Sequence, residues 1–132
     1  MGTWGIGSFD NDDAADWVYE LEESGGADAI SQALRAIGPD GYLEAPDCSI
    51  ALAAAEVLAA LQGQPSESLP PEVITWVNDN PVEVDDDLLG LALMAIHRIE
   101  TESELKDLWE ESGELDEWAA TLNDLKERLG SA

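Results

Sequence analysis

Residues 50 to 61, Ile-Ala-Leu-Ala-Ala-Ala-Glu-Val-Leu-Ala-Ala-Leu, are interrupted by a single charge, Glu56. A helix built from them is apolar almost all round, so it has to be enclosed by other elements. The run is too short and too uneven to cross a bilayer, which takes about 20 apolar residues. It therefore reads as the central helix of a soluble core. Alanines at 51, 53, 54, 55, 59 and 60 allow neighbouring helices to approach closely, while Ile50, Val57, Leu58 and Leu61 fill the space between them. Pro46 and Asp47 mark its start and Gly63 its end, which predicts a helix over 47–62.

The remainder of the chain supplies helices to surround it. Asp10 is the expected N-cap of the first, with Phe9 stapled against Ala14, and Ala14, Trp17, Val18 and Leu21 recur at helical spacing until Gly25-Gly26. A second helix is expected near 27–37, facing inward through Ile30, Ala33, Leu34 and Ile37. Leu69 to Asn78 reads as a short helix with two prolines in its opening turn and Val73, Trp76 and Val77 inward. Asp85, Asp86 and Asp87 suit the positive end of a fifth helix whose stripe is Leu88, Leu89, Ala92, Ala95, Ile96 and Ile99. Thr101 and Glu104 have the spacing of a capping box, predicting a restart before Leu105, Leu108 and Trp109. Gly113 breaks that run, and a last helix shows Leu115, Trp118, Ala119, Leu122, Leu125 and Leu129 on one side. No alternating run of strand length interrupts this pattern. The expected fold is all-α: one compact domain over 1–132, with six or seven short helices around the Ala-rich one.

Charge limits what such a domain can meet. Thirty acidic residues against five basic ones give a net charge of −25. The acids are spread along the chain, so the negative field is not confined to a tail. A field of that sign repels nucleic acid and anionic membranes and attracts basic partners. Solubility, or a host with high internal salt, explains the same composition without a partner. The single cysteine, Cys48, permits no internal disulfide, and no secretory leader is legible, so a cytoplasmic location is expected.

Catalytic signals are sparse. His97 stands alone on an apolar helix, without a nucleophile motif beside it. Cys48 lies in the first turn of its helix, where the dipole lowers a thiol pKa, although a free cysteine next to Ile50 and Ala51 is more simply a small buried hydrophobe. Asp10, Asp12, Asp13 and Asp16 crowd one helix start, but the calcium-loop pattern fails because Ala15 and Leu21 stand where a glycine and a bidentate glutamate belong. Glu56 is the candidate buried carboxylate, to be explained by a solvent-reaching side (Ser49, Ala53, Glu56, Ala60) or by pairing with Arg35 or Arg98. No catalytic residue, metal site or cofactor is assigned.

The N-terminal stretch, with Gly2, Trp4, Gly5, Gly7, Phe9, Asn11, Asp12, Ala14 and Asp16, resembles the start of a bacterial domain family of unknown function whose members open with Met-Gly-x-Trp-Gly-x-Gly-x-Phe-x-Asn-Asp-x-Ala-x-Asp. The resemblance continues through the Ala-rich centre to Leu-Trp-Glu-Glu-Ser-Gly at 108–113. It implies no chemistry, since the family has none to lend. Residues 1–9 are read as an arm that the glycines let lie against the helical domain. Trp4, Asp12, Asp13 and Asp16 form the expected binding surface, an aromatic anchor flanked by acids. The function expected is a non-enzymatic module, inhibitor-like or immunity-like, that recognises a basic protein. A small carboxylate enzyme, with or without a divalent ion, and a structural protein whose acidity is environmental are the alternatives.

Overall fold

A computed structural model describes residues 12–24, 27–37, 43–66, 69–80 and 84–130. These form α1 (Asp12–Ser24), α2 (Ala27–Arg35), α3 (Ala45–Leu61), α4 (Pro71–Asp79), α5 (Asp86–Glu102), α6 (Glu104–Ser112) and α7 (Leu115–Gly130). Among the described residues there is no strand, only an isolated parallel bridge between Leu43 and Ser103. The expected N-cap Asp10, the staple residue Phe9 and the whole arm 1–9 lie outside the described residues.

α3 is the axis of the domain and packs against all the other helices. Every residue from Ala51 to Ala60 is buried, as its all-round apolar sequence requires. The small alanine side chains let the helices around it close in, and Val57 and Leu58, both fully buried, fill what remains. The other helices present the stripes read from their periodicity. Ala14, Trp17, Val18 and Leu21 of α1, Ile30, Ala33 and Leu34 of α2, and Trp118, Leu122, Leu125 and Leu129 of α7 are all buried. Leu88 and Leu89, at the start of α5, are only half-buried. Trp76 of α4 is buried although its indole Nε1–H has no partner among the described residues. Leaving such a donor unsatisfied costs about 1–3 kcal/mol, which the large apolar area of the ring offsets.

Helix ends follow local chemistry in most places. α3 and α6 both stop in Schellman turns: Gly63 (φ 88°) and Gly113 (φ 84°) take the left-handed conformation that only glycine adopts without strain. The following N–H groups reach back, Gln64 to the Ala59 carbonyl at 2.9 Å and Glu114 to that of Trp109 at 3.3 Å. Asp85 caps α5 by accepting from the Leu88 N–H at 2.8 Å.

The expected Thr101–Glu104 capping box is replaced by a different arrangement. Ser103 caps α6, its Oγ accepting from the Lys106 N–H at 3.0 Å, while the Thr101 hydroxyl donates back to the His97 carbonyl inside α5. Glu104 is thereby released to work elsewhere. Its carboxylate accepts the Ala45 N–H at 2.8 Å, and its own N–H donates to the Leu43 carbonyl at 2.9 Å. Glu44, the residue at the N-cap of α3, provides no side-chain bond of its own. The central helix is thus capped by a residue of α6, which also brings a negative charge to the positive end of its dipole.

Candidate functional site

Acids are even along the sequence, but compensated charge is not even in space. Arg98, Lys106, Lys126 and Arg128 lie on α5, α6 and α7, and each meets a carboxylate. Arg98 reaches Glu102 at 3.1 Å, Lys106 reaches Glu110 at 3.6 Å, Lys126 reaches Glu100 at 2.7 Å, and Arg128 reaches Glu56 at 2.7 Å. On α2, Arg35 donates its Nε–H to Ser31 at 2.9 Å. α1 has no basic residue and exposes Asp12, Asp13, Asp16, Glu20, Glu22 and Glu23. α1 thus carries six exposed acids and no base within its own length.

Helical spacing places Asp12, Asp13, Asp16 and Glu20 on one flank of α1, bordering the buried Trp17. Asp12 and Asp13 sit in the first turn, where the dipole favours them. Asp16 and Glu20 gain no such benefit, and Asp16 lies at i, i+4 spacing from both Asp12 and Glu20, which is repulsive by about 0.2–0.5 kcal/mol per pair. Beside this flank a cleft of about 390 Å³ opens between α1, α2 and the start of α3. Trp17, Ala29, Ala33 and Ile50 provide its apolar walls, and Glu20, Asp28 and Gln32 its polar ones. Ile50, expected in the core, is only half-buried because it faces this opening. Trp4, the expected aromatic anchor, lies outside the described residues, so of the proposed set the structure places Asp12, Asp13 and Asp16 together. Among the described residues no group of three or more histidine, cysteine or acidic side chains could hold a metal ion.

Glu56 differs from both explanations offered by the sequence. Its side of α3 does not reach solvent, since Ser49, Ala53, Glu56 and Ala60 are all buried. Its cation is neither Arg35 nor Arg98 but Arg128, near the end of α7. Arg128 also meets Asp124 at 2.8 Å and the Gln64 carbonyl at 3.3 Å, while Gln62 donates to the Leu129 carbonyl at 3.2 Å. Burial opposes the charge on Arg128, but the facing Glu56 carboxylate, helped by Asp124, outweighs it and holds the guanidinium above its ordinary pKa. The cluster fastens α7 across the end of α3.

Cys48 is fully buried, so the helix dipole is not what governs its thiol. Burial pushes it up to about 12, against a smaller opposing effect of the hydrogen bond with Ser103. The folded chain keeps the thiol protonated where the unfolded chain, near 9.0, has begun to lose the proton. That difference contributes stability in full below pH 9, and the contribution is lost as pH rises from 9 towards 12. The urea midpoint should accordingly fall over that range, and Cys48→Ala should flatten the decline. An equal slope in the variant would assign the fall to other groups. His97 is exposed, with Nδ1 3.7 Å from Glu100, a surface position.

No helix among the described residues is long and apolar enough to cross a membrane. A family model described as a domain of unknown function, DUF4259, matches residues 2–121. No curated protein and no solved structure matches the chain.

Proposed function

From a chain that belongs to the DUF4259 family, described only as a domain of unknown function, we propose a non-enzymatic protein-binding module that receives a basic protein on the acidic flank of α1. The observation that supports this reading is the separation of charges. Four of the five basic residues are engaged with carboxylates on the α5–α7 side, and α1 carries acids without a base. A surface of uncompensated charge beside a partly apolar cleft offers both steering and a place to anchor. Retaining Asp16 and Glu20 at repulsive spacing fits a partner that relieves the repulsion on binding. The partner is a basic protein surface rather than nucleic acid, whose phosphates the same field repels. An inhibitor-like or immunity-like role and a cytoplasmic setting complete the proposal.

The test begins with partners recovered on the immobilised protein in low salt. Asp12→Asn with Asp13→Asn should slow association with the recovered partner by roughly three- to tenfold at low ionic strength and much less at high salt. Dissociation and helical content should stay unchanged. An association rate that ignores the double substitution would remove α1 as the docking flank. Release of the partner by duplex DNA would instead point to mimicry of a nucleic acid.

A further inference from the structure

Resting on that reading, we infer that the cleft between α1, α2 and α3 is a specificity pocket for one arginine side chain of the basic partner. Three features of the cleft bear on this. The volume of about 390 Å³ falls at the lower end of the roughly 300–1,000 Å³ of small-ligand sites, room enough for one long side chain and its water. The apolar walls, Trp17, Ala29, Ala33 and Ile50, suit an aliphatic stem, and Ile50 is left half-exposed on a helix otherwise buried from Ala51 to Ala60. Glu20 and Asp28, both exposed, contribute carboxylates from two different helices. The cleft is therefore complementary to a side chain that is apolar along its length and cationic at its tip.

Such a side chain is lysine or arginine, and the geometry favours arginine. A guanidinium is planar and less strongly hydrated than an ammonium, so it enters a partly apolar cleft at lower desolvation cost while offering several N–H donors. With Glu20 on one wall, Asp28 on another and the Gln32 amide alongside, those donors have more than one acceptor. An ammonium is a compact, strongly hydrated point charge that costs more to bring into such a cleft. The same cleft gives an anionic or purely aliphatic side chain no such match.

The probe is an acetylated, amidated tetra-arginine peptide titrated in low salt, with tetra-lysine as comparison. Binding is read by calorimetry and by the Ile50 methyl and Trp17 indole resonances. Tetra-arginine should bind saturably, more tightly than tetra-lysine, and shift both resonances. Glu20→Gln with Asp28→Asn should weaken it by about tenfold, the combined effect of two exposed ion pairs. Glu111→Gln with Glu117→Gln changes the net charge equally on α6 and α7, which pack on α3 and α5 and not on the cleft, and should weaken it less than twofold by diffuse screening alone. Ala29→Leu fills the cleft without changing charge and should also abolish the preference for arginine; circular dichroism checks that it folds. Equal effects of the two charge pairs, an unaffected Ala29→Leu, tetra-lysine binding as well as tetra-arginine, or no saturable binding would overturn the pocket. The docking flank is separable: a partner still slowed by Asp12→Asn with Asp13→Asn, but indifferent to Asp28→Asn and Ala29→Leu, leaves the proposed function standing without the pocket.

Discussion

Replacing Arg128 with alanine should lower the stability of the folded chain by about 3–5 kcal/mol, a large fraction of what a domain of this size has. The loss comes from the carboxylate left behind. Glu56 is buried in the middle of α3, and Arg128 holds it at 2.7 Å while itself meeting Asp124 and the Gln64 carbonyl. Removing the guanidinium takes the cation at 2.7 Å away from a buried carboxylate. Removing both members of such a pair is commonly neutral or better, because the desolvation cost of two ions disappears with them. Arg128→Met with Glu56→Met should therefore recover most of the loss. Chemical denaturation of the single and double variants measures this directly. A cost below about 1 kcal/mol for Arg128→Ala, the range of surface pairs, would mean that water reaches Glu56 readily.

Leu58→Ala should cost about 2–5 kcal/mol, through lost transfer energy and the cavity left behind. Leu58 is fully buried on the helix that every other helix touches, and most of its neighbours on α3 are alanines with no side chain to swing into the gap. The cost should fall in the upper half of that range for this reason. Ile50→Ala on the same helix should cost distinctly less, since Ile50 faces the cleft and is only half-buried. Equal costs at the two positions would contradict the half-burial of Ile50, and a Leu58→Ala cost near zero would contradict the placement of α3 at the centre.

Several features were legible because they are local. A stripe of apolar residues every three or four positions defines a helix and its inward face regardless of what packs there, so the faces of α1, α2 and α7 were readable from Trp17, Leu34 and Leu122 outward. Gly63 and Gly113 announced the ends of α3 and α6, because a left-handed residue is needed there and glycine alone takes it freely. Asp12, Asp13 and Asp16 stood out as a cluster for the same reason: a helix start fixes its own residues within one turn.

What the sequence determined by itself is an acidic all-α domain with an enclosed Ala-rich helix, since composition and period decide which surfaces must be hidden. Tertiary structure alone decided which surfaces meet. It joined Glu56 to Arg128 instead of Arg35 or Arg98, and gave the cap of α3 to Glu104 of α6. It brought Lys126 of α7 to Glu100 of α5, whereas Arg98–Glu102 and Lys106–Glu110 are local i, i+4 pairs that helical spacing already allows. It also turned Ile50 from a core residue into the wall of a cleft, whereas the burial of Cys48 was the simpler reading of its apolar neighbours. Periodicity leaves these choices open because it says that a face must be covered and not by what. The partner is selected only when all the faces are satisfied at once, through contacts between residues far apart in the chain.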